Sequence, residues 1–366
     1  MTRILMTTDT VGGVWDYSLE LARALGRHGA SVVLATMGAP VQPAQWEQVR
    51  ALHNVELRES EFALEWMPSP WRDVDRAGEW LLDLEVAVAP DLIHLNGYVH
   101  GALPWRAPVI IAAHSCVRSW WEAVKGEAPH AEWDEYSRRV EAGLRSADAI
   151  VAPSHAMAAA LRRHYDFDAE PVVVPNGRAG PFHQGEKSAL VLTAGRVWDE
   201  AKNVAALARV ADTLPWPVYV AGSADSPTGR SAALGAMRPL GQLPSNELAE
   251  WMARAAIYAL PARYEPFGLS VLEAALSGCA LVLGDIPSLR ERWDDAALFV
   301  DPNDDHALAA AITLLIEDAP TRGALAARAR RVAVELTPER MAVGYLSVYR
   351  RAIGMERRTG SAACAS

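Results

Sequence analysis

The chain has 366 residues, more than one hydrophobic core usually organises, so two domains of ordinary size are expected. Hydrophobic residues make up 51% and charged residues 22%, and no apolar run approaches the ~18 residues a membrane helix needs, which describes a soluble globular chain and excludes a bilayer-spanning one. Net charge is −10, with 16 basic against 24 acidic residues up to residue 180 and 19 against 21 beyond it, so the first half lacks the basic footprint that nucleic acid demands.

Peripheral membrane contact through a local patch stays open, but no general attraction to an anionic surface is expected. Cys116, Cys279 and Cys364 are far apart and show no zinc or disulfide spacing. With an N-terminus that lacks the features of a secretory signal, this points to a reducing cytoplasm.

The opening reads as a strand (Arg3 to Thr7), a glycine-bearing turn (Thr10 to Val14), a helix (Trp15 to Arg27) and a strand (Ser31 to Thr36). Leu19, Ala22 and Leu25 give the helix one apolar face, and His28-Gly29 stops it. Short apolar strands follow at Leu92 to Leu95, Val109 to Ala113, Ala149 to Ala152 and Val172 to Val174, with a helix over Ala131 to Arg145. The alternation implies a parallel sheet with helices on both faces.

After the turn-rich segment Pro181 to Gly185, which reads as a linker, the same alternation restarts. Strands are predicted at Ala189 to Thr193, Val218 to Ala221, Ile257 to Leu260, Ala280 to Leu283 and Ala297 to Val300. Helices are predicted at Asn203 to Thr213, Asn246 to Arg254, Leu269 to Ser277 and His306 to Asp318. The fold class is therefore α/β, with two doubly wound Rossmann-like domains over 1–180 and 186–338. A helix over about 339–354 is expected to return to the first domain, and 355–366 to form a disordered tail. In such sheets ligands sit at the carboxyl ends of the strands.

Four strand ends carry candidate chemistry. In Pro261 to Gly278, a strand gives way to a proline-bearing turn and then a helix near Gly268, whose opening amides, with those of Phe267 and Leu269, suit a phosphate. Glu265 precedes that helix and Glu273 projects from its second turn, where a carboxylate suits the paired hydroxyls of a ribose or hexose. In Gly195 to Asn203, Arg196 and Lys202 are placed to neutralise charge on a departing diphosphate; the competing reading pairs them with Asp199 and Glu200 at the surface. In the first domain, Gly12-Gly13 follows the first strand and is read either as a tight turn or as a close approach to phosphate. His114 follows another strand, as a structural histidine or as a group that bonds a sugar hydroxyl.

The sequence resembles the family-4 glycosyltransferases of the two-domain GT-B fold. The likeness rests on Glu265 and Glu273, on Arg196 to Lys202, and on the stretches LARALGRHGASVVLAT, PDLIHLNG, SADAIVAPS, VVVPNG and LGQLPSNELAEWMARA. It implies two domains facing across a cleft. It also implies a retaining, metal-independent enzyme that needs no cofactor and moves a sugar from a nucleotide diphosphate donor to a carbohydrate or glycoconjugate acceptor. By the same resemblance, Arg196 and Lys202 hold the diphosphate, Glu273 the ribose and Glu265 the transferred sugar. The amides of Phe267, Gly268 and Leu269 hold the distal phosphate, while Gly12, Gly13 and His114 meet the donor from the first domain. Catalytic roles fall on Arg196, Lys202, Glu265 and His114, and Trp120 and Trp121 are the acceptor-side candidates. The sequence departs from the family pattern where Arg178-Ala179-Gly180 replaces a common Val-Asp, and where Pro287-Ser288 replaces a glycine pair ahead of Glu291.

Three rival readings remain at this stage. A nicotinamide oxidoreductase lacks its G-x-G-x-x-G after any strand. A non-catalytic sugar or nucleotide binder, and a phosphorylase or epimerase on the same fold, are separated from transfer only by function.

Overall fold

A computed structural model describes residues 2–225, 229 and 231–363, with side chains as far as residue 354. The chain forms two compact units, one comprising 1–121, 127–177 and 338–366, the other 122–126 and 178–337.

The first unit is built on β1 (Arg3–Asp9), α1 (Gly13–Gly26), β2 (Ser31–Met37), α2 (Pro43–Arg50), β3 (Val55–Arg58), α3 (Trp71–Val88), β4 (Leu92–Leu95), β5 (Val109–Ala112), α4 (Val117–Lys125), α5 (Asp134–Ser146), β6 (Ala149–Ala152), α6 (His155–His164) and β7 (Val172–Val173). The sheet runs β3-β2-β1-β4-β5-β6-β7, and its pairings are parallel. Alternation along each strand decides which layer a side chain joins. Ile4 and Met6 pack with Leu21 and Leu25 of α1, whereas Leu5 between them packs with Leu81 of α3 and Val140 and Leu144 of α5. Because both faces are covered, β4 and β5 are buried at every position and read as continuous apolar runs.

The second unit holds β8 (Ser188–Ala194), α7 (Val204–Val210), β9 (Val218–Ala221), β10 (Arg238–Gly241), α8 (Ser245–Arg254), β11 (Ala255–Leu260), α9 (Leu269–Leu276), β12 (Ala280–Gly284), α10 (Pro287–Trp293), β13 (Ala297–Val300), α11 (Asp305–Glu317) and α12 (Ala319–Ala333). Its parallel sheet is ordered β10-β9-β8-β11-β12-β13. Leu192, Tyr258, Leu281 and Leu283 meet Val271 and Leu272 of α9 on one face, and Val191, Ile257 and Val282 meet Leu308 and Ile312 of α11 on the other. The final helix, α13 (Pro338–Ala363), belongs to the first unit, where Tyr345 and Tyr349 join the α1 layer.

Three features differ from the sequence-based expectation. The edge strands β3 and β10 were not anticipated, because their sequences VELR and RPLG alternate with polar residues or carry a proline. The turn-rich segment before Gly185 is not the crossover: Gln184 lies against Gly278 and Gly185 against Ala253, and the chain changes unit between Gly177 and Arg178. The expected tail begins as helix, since α13 continues to Ala363; a helix already nucleated extends readily through residues such as Met-Glu-Arg-Arg. Residues 364–366 lie outside the described residues.

Gly143 in α5 shows how tightly the first unit is closed, because a β-carbon there would sit 1.9 Å from the Tyr98 carbonyl oxygen. Glycine to alanine inside a helix ordinarily stabilises by about 1 kcal/mol. At this position overpacking dominates, and Gly143→Ala is expected to destabilise by about 1–3 kcal/mol. A denaturant midpoint equal to or above that of the wild type would contradict this packing.

Candidate functional site

Both sheets reverse their strand order beside the central strand, between β8 and β11 in the second unit and between β1 and β4 in the first. At such a switch point the loops leaving neighbouring strands diverge, which opens a crevice at their carboxyl ends. Arg196, Lys202, Glu265, Phe267 and Gly268 lie on the loops after β8 and β11 and Gly12 on the loop after β1, whereas Gly13 opens α1, Leu269 and Glu273 are on α9, His114 follows β5, and Trp120 and Trp121 are on α4.

In the second unit, the loop after β8 carries Arg196 to Asn203 and the loop after β11 carries Pro261 to Gly268. Asn203 stitches neighbouring loops together, its Nδ2 donating to the carbonyls of Pro261 at 2.9 Å and Pro302 at 2.7 Å. The backbone of Arg263 donates to the Ala201 carbonyl at 2.8 Å. This lacing brings Lys202 against Glu265, and the two form an ion pair in which Nζ donates to Oε2. The other oxygen of Glu265 accepts the Gly268 amide at 3.0 Å. Gly268 has φ +89°, a conformation that favours glycine, and it caps α9.

In this structure the Gly268 amide donates to the carboxylate three residues earlier, a partner that a phosphate at this helix start would have to displace. Phe267 is buried in the core beside the turn, and Leu269 is partly buried. Arg196 takes the surface pairing considered from sequence, with Nη2 2.9 Å from Asp199, whereas Lys202 pairs with Glu265 rather than Glu200. Glu273 is buried on α9 and accepts from Arg178 Nε at 2.7 Å, a partner that sequence alone did not indicate. Tyr258 links these groups: its hydroxyl donates to the Ala194 carbonyl at 3.1 Å and lies 2.8 Å from Ser270 Oγ, within electrostatic reach of both glutamates.

Beside this cluster, the ends of β8, β9 and β10 enclose a cavity of about 310 Å³ lined by Val197, Gly222, Ser223, Pro239 and Gly241. Gly222, which lines it, has to be glycine for its backbone to pass this close to Gly195, since a β-carbon would fall 1.8 Å from the Gly195 carbonyl oxygen. Sequence reasoning missed this cavity; the small residues that end β9, Ala221-Gly222-Ser223, were its trace.

In the first unit the histidine network is neutral, and the turn at Gly12 is held by the Asp9 carboxylate. Gly12 is the N-cap of α1, and its amide is also spoken for: Asp9 Oδ1 accepts from Val11 and Gly12 at 3.0 Å each, while Gly13 is exposed. The carboxylate of Asp9 thus holds the turn that carries Gly12 and Gly13.

His114 follows β5 and its Nε2 lies 2.8 Å from Asn96 Oδ1. Asn96 cannot be reversed without placing oxygen against oxygen, since its Nδ2 donates to the Thr7 carbonyl at 2.7 Å and to Ser18 Oγ at 3.1 Å. Its Oδ1 therefore faces the histidine and can only accept, so His114 carries its proton on Nε2 and presents Nδ1 as an acceptor. His94 lies deeper, its Nδ1 2.6 Å from Tyr349 Oη and its Nε2 3.2 Å from the same Asn96 oxygen. Trp120 and Trp121 stand on α4, partly exposed, with ring centroids 6.0 Å apart, and Trp121 also meets His130 at 4.7 Å.

Burial pushes His114 down to about 4 and His94 down to about 3 from the usual 6.5. The unfolded chain binds protons near 6.5 that the folded chain refuses. The stability from these neutral rings is therefore complete above pH 6.5 and lost as pH falls toward 4. Ring resonances of both histidines are expected to stay at the neutral-imidazole position down to pH 5, with the melting temperature falling below pH 6.5. Titration of either ring near 6.5 would contradict the network.

Comparison with known proteins follows the same two-unit division. Residues 11–178 match the description "Glycosyltransferase Family 4" and residues 182–332 match "Glycosyl transferases group 1". A D-inositol 3-phosphate glycosyltransferase from Jonesia denitrificans is 25% identical, with 94% of this chain and 92% of that protein covered. Sucrose-phosphate synthase from Thermosynechococcus elongatus superposes with a TM-score of 0.80 at 20% identity, covering 97% of this chain and all of the other. HepE of Anabaena, in complex with UDP-glucose, superposes with a TM-score of 0.74 at 18% identity, covering 95% and 100%. Both sheet topologies and both sequence matches agree, and the chain belongs to the family-4 glycosyltransferases of the GT-B fold.

Proposed function

We propose that this glycosyltransferase takes its sugar from a nucleotide diphosphate donor, retains the donor's anomeric configuration and needs no metal. The observation that carries the reading is the meeting of Lys202, Glu265 and the start of α9 at the switch point between β8 and β11. A cation already paired to a carboxylate, beside a helix start, is a site where a diphosphate can exchange places with the carboxylate. On arrival its oxygens take Lys202 and the Gly268 amide, and Glu265 turns its freed oxygens to the hydroxyls of the transferred sugar. The adjoining cavity beside Gly222 has room for a nucleobase, and Glu273 takes the ribose.

Charge on the diphosphate grows as the glycosidic bond breaks, and Lys202 and Arg196 stabilise that charge in place of a metal ion. In the first unit, Gly12 and Gly13 let a phosphate approach the backbone and His114 accepts a sugar hydroxyl at Nδ1, the roles that the family resemblance implies. Trp120 and Trp121 offer ring faces to the acceptor. No carboxylate is assigned as nucleophile, so attack from the face of the leaving group, with a phosphate oxygen taking the acceptor's proton, accounts for retention.

The test is release of nucleoside diphosphate from UDP, GDP and ADP sugars with and without carbohydrate acceptors. Release that depends on the acceptor and survives EDTA is expected; loss with EDTA that manganese or magnesium restores would contradict the metal-independent reading. Release without any acceptor would favour hydrolysis or a non-transfer role.

Lys202 is the more enclosed cation, its side chain 16% exposed against 43% for Arg196. Removing a donor aimed at developing charge costs about 10²–10³ in kcat, so Lys202→Ala is expected to fall in that range and Arg196→Ala to fall less. A Lys202→Ala enzyme with wild-type kcat would remove Lys202 from the mechanism.

A further inference from the structure

The residue that departs from the family pattern just past the crossover, Arg178, is the partner of Glu273. Its Nε donates to Glu273 Oε1 at 2.7 Å, and the two side chains are only 8% and 9% exposed. Arg178 is held at both ends: its own amide donates to the Leu336 carbonyl at 3.0 Å, and its guanidinium stands 5.3 Å from the centre of the Phe182 ring. Glu273 lies on a helix whose neighbouring residues, Val271, Leu272, Ala274 and Ala275, are all core. A carboxylate in such a place stays ionised only when a cation matches it. Arginine does so permanently, since it does not lose its proton in a protein, and its fixed fork also sets the plane of the carboxylate.

We infer that Arg178 is a positioning residue for nucleotide recognition: it keeps Glu273 ionised and in one orientation, so that the carboxylate accepts hydrogen bonds from the paired hydroxyls of the donor's ribose. This rests on the assignment of the ribose to Glu273. An ionised acceptor held in place makes a charge-assisted hydrogen bond to a sugar hydroxyl, and a sugar that lacks the hydroxyl forfeits that bond. Arg178 thus acts through Glu273 on the choice between ribonucleotide and 2′-deoxyribonucleotide, and leaves the diphosphate to Lys202.

The experiment measures binding of UDP, GDP and ADP and of their 2′-deoxy counterparts by calorimetry. It uses the wild type, Glu273→Gln, Arg178→Lys, Arg178→Gln and the double variant Arg178→Gln/Glu273→Gln, each checked for a cooperative melt. For whichever base binds, the wild type is expected to prefer the ribonucleotide by about tenfold or more. Arg178→Gln is expected to erase most of that preference by weakening the ribonucleotide alone, and Arg178→Lys to restore part of it. The double variant is expected to match Glu273→Gln, because both act through one group. A folded Arg178→Gln with the full preference, or one that loses ribo and deoxy forms equally, overturns the inference while Glu273→Gln still shows the loss. A Glu273→Gln that keeps the preference overturns instead the ribose assignment on which the inference stands. If Arg178→Gln does not fold, Arg178→Lys and the double variant carry the same comparison.

Discussion

Burying a carboxylate at the end of a parallel strand requires a matching cation, and the second unit meets that requirement three times. Glu265 is matched by Lys202, Glu273 by Arg178 and Asp199 by Arg196. Lys202–Glu265 ties the loop after β8 to the loop after β11, Arg178–Glu273 ties the segment past the crossover to α9, and Arg196–Asp199 lies within the β8 loop, so the first two pairs help fix the shape around the switch point. Removing one member of a buried pair costs about 3–5 kcal/mol, more than the net worth of the pair itself, because the other charge is left stranded. The site is therefore stable only while its charges are matched, either by one another or by a ligand that substitutes for one of them. In the proposed function a diphosphate meets that condition for Lys202, while the hydroxyls of a sugar give the glutamates hydrogen-bond donors rather than charge.

The histidine network of the first unit uses neutral groups instead. Thr7, Asn96, His94, His114 and Tyr349 form a chain of hydrogen bonds whose directions follow from one carbonyl, that of Thr7. Burial keeps both imidazoles uncharged, so this network is made of oriented dipoles rather than charges. The same chain anchors α13 through Tyr349. Closer to the surface, Glu65 serves a structural end: burial pushes its carboxyl up to about 7, against the pull of the Val99 and Tyr98 amides it accepts.

The α/β class and most central strands were legible because both faces of each sheet are covered, which leaves unbroken apolar runs such as LIHL and AIVA. The segment from Pro261 to Gly278 was legible because strand, proline, glycine and two glutamates fall within one short stretch. What the sequence hid were long-range pairings. Nothing local joins Arg178 to a glutamate 95 positions away, or Lys202 to one 63 away. The fates of the Gly12 and Gly268 amides were hidden for a different reason. Asp9 and Glu265 lie close in sequence, but whether a nearby carboxylate turns toward a helix start or toward solvent depends on packing that no motif spells out. Edge strands β3 and β10 escaped because one polar or unpaired side removes the apolar run that marks their neighbours.

The central claim is that Lys202, exchanging its carboxylate partner for the ligand, seats the diphosphate next to but separate from the seat of the nucleoside. Calorimetric binding of a nucleoside and of its diphosphate to wild type and Lys202→Met addresses it directly. The account predicts that the variant loses affinity for the diphosphate by about tenfold or more, as expected for the loss of a charge-assisted contact, while nucleoside affinity is unchanged. Equal affinity of both proteins for the diphosphate, or equal loss for nucleoside and diphosphate, would contradict it.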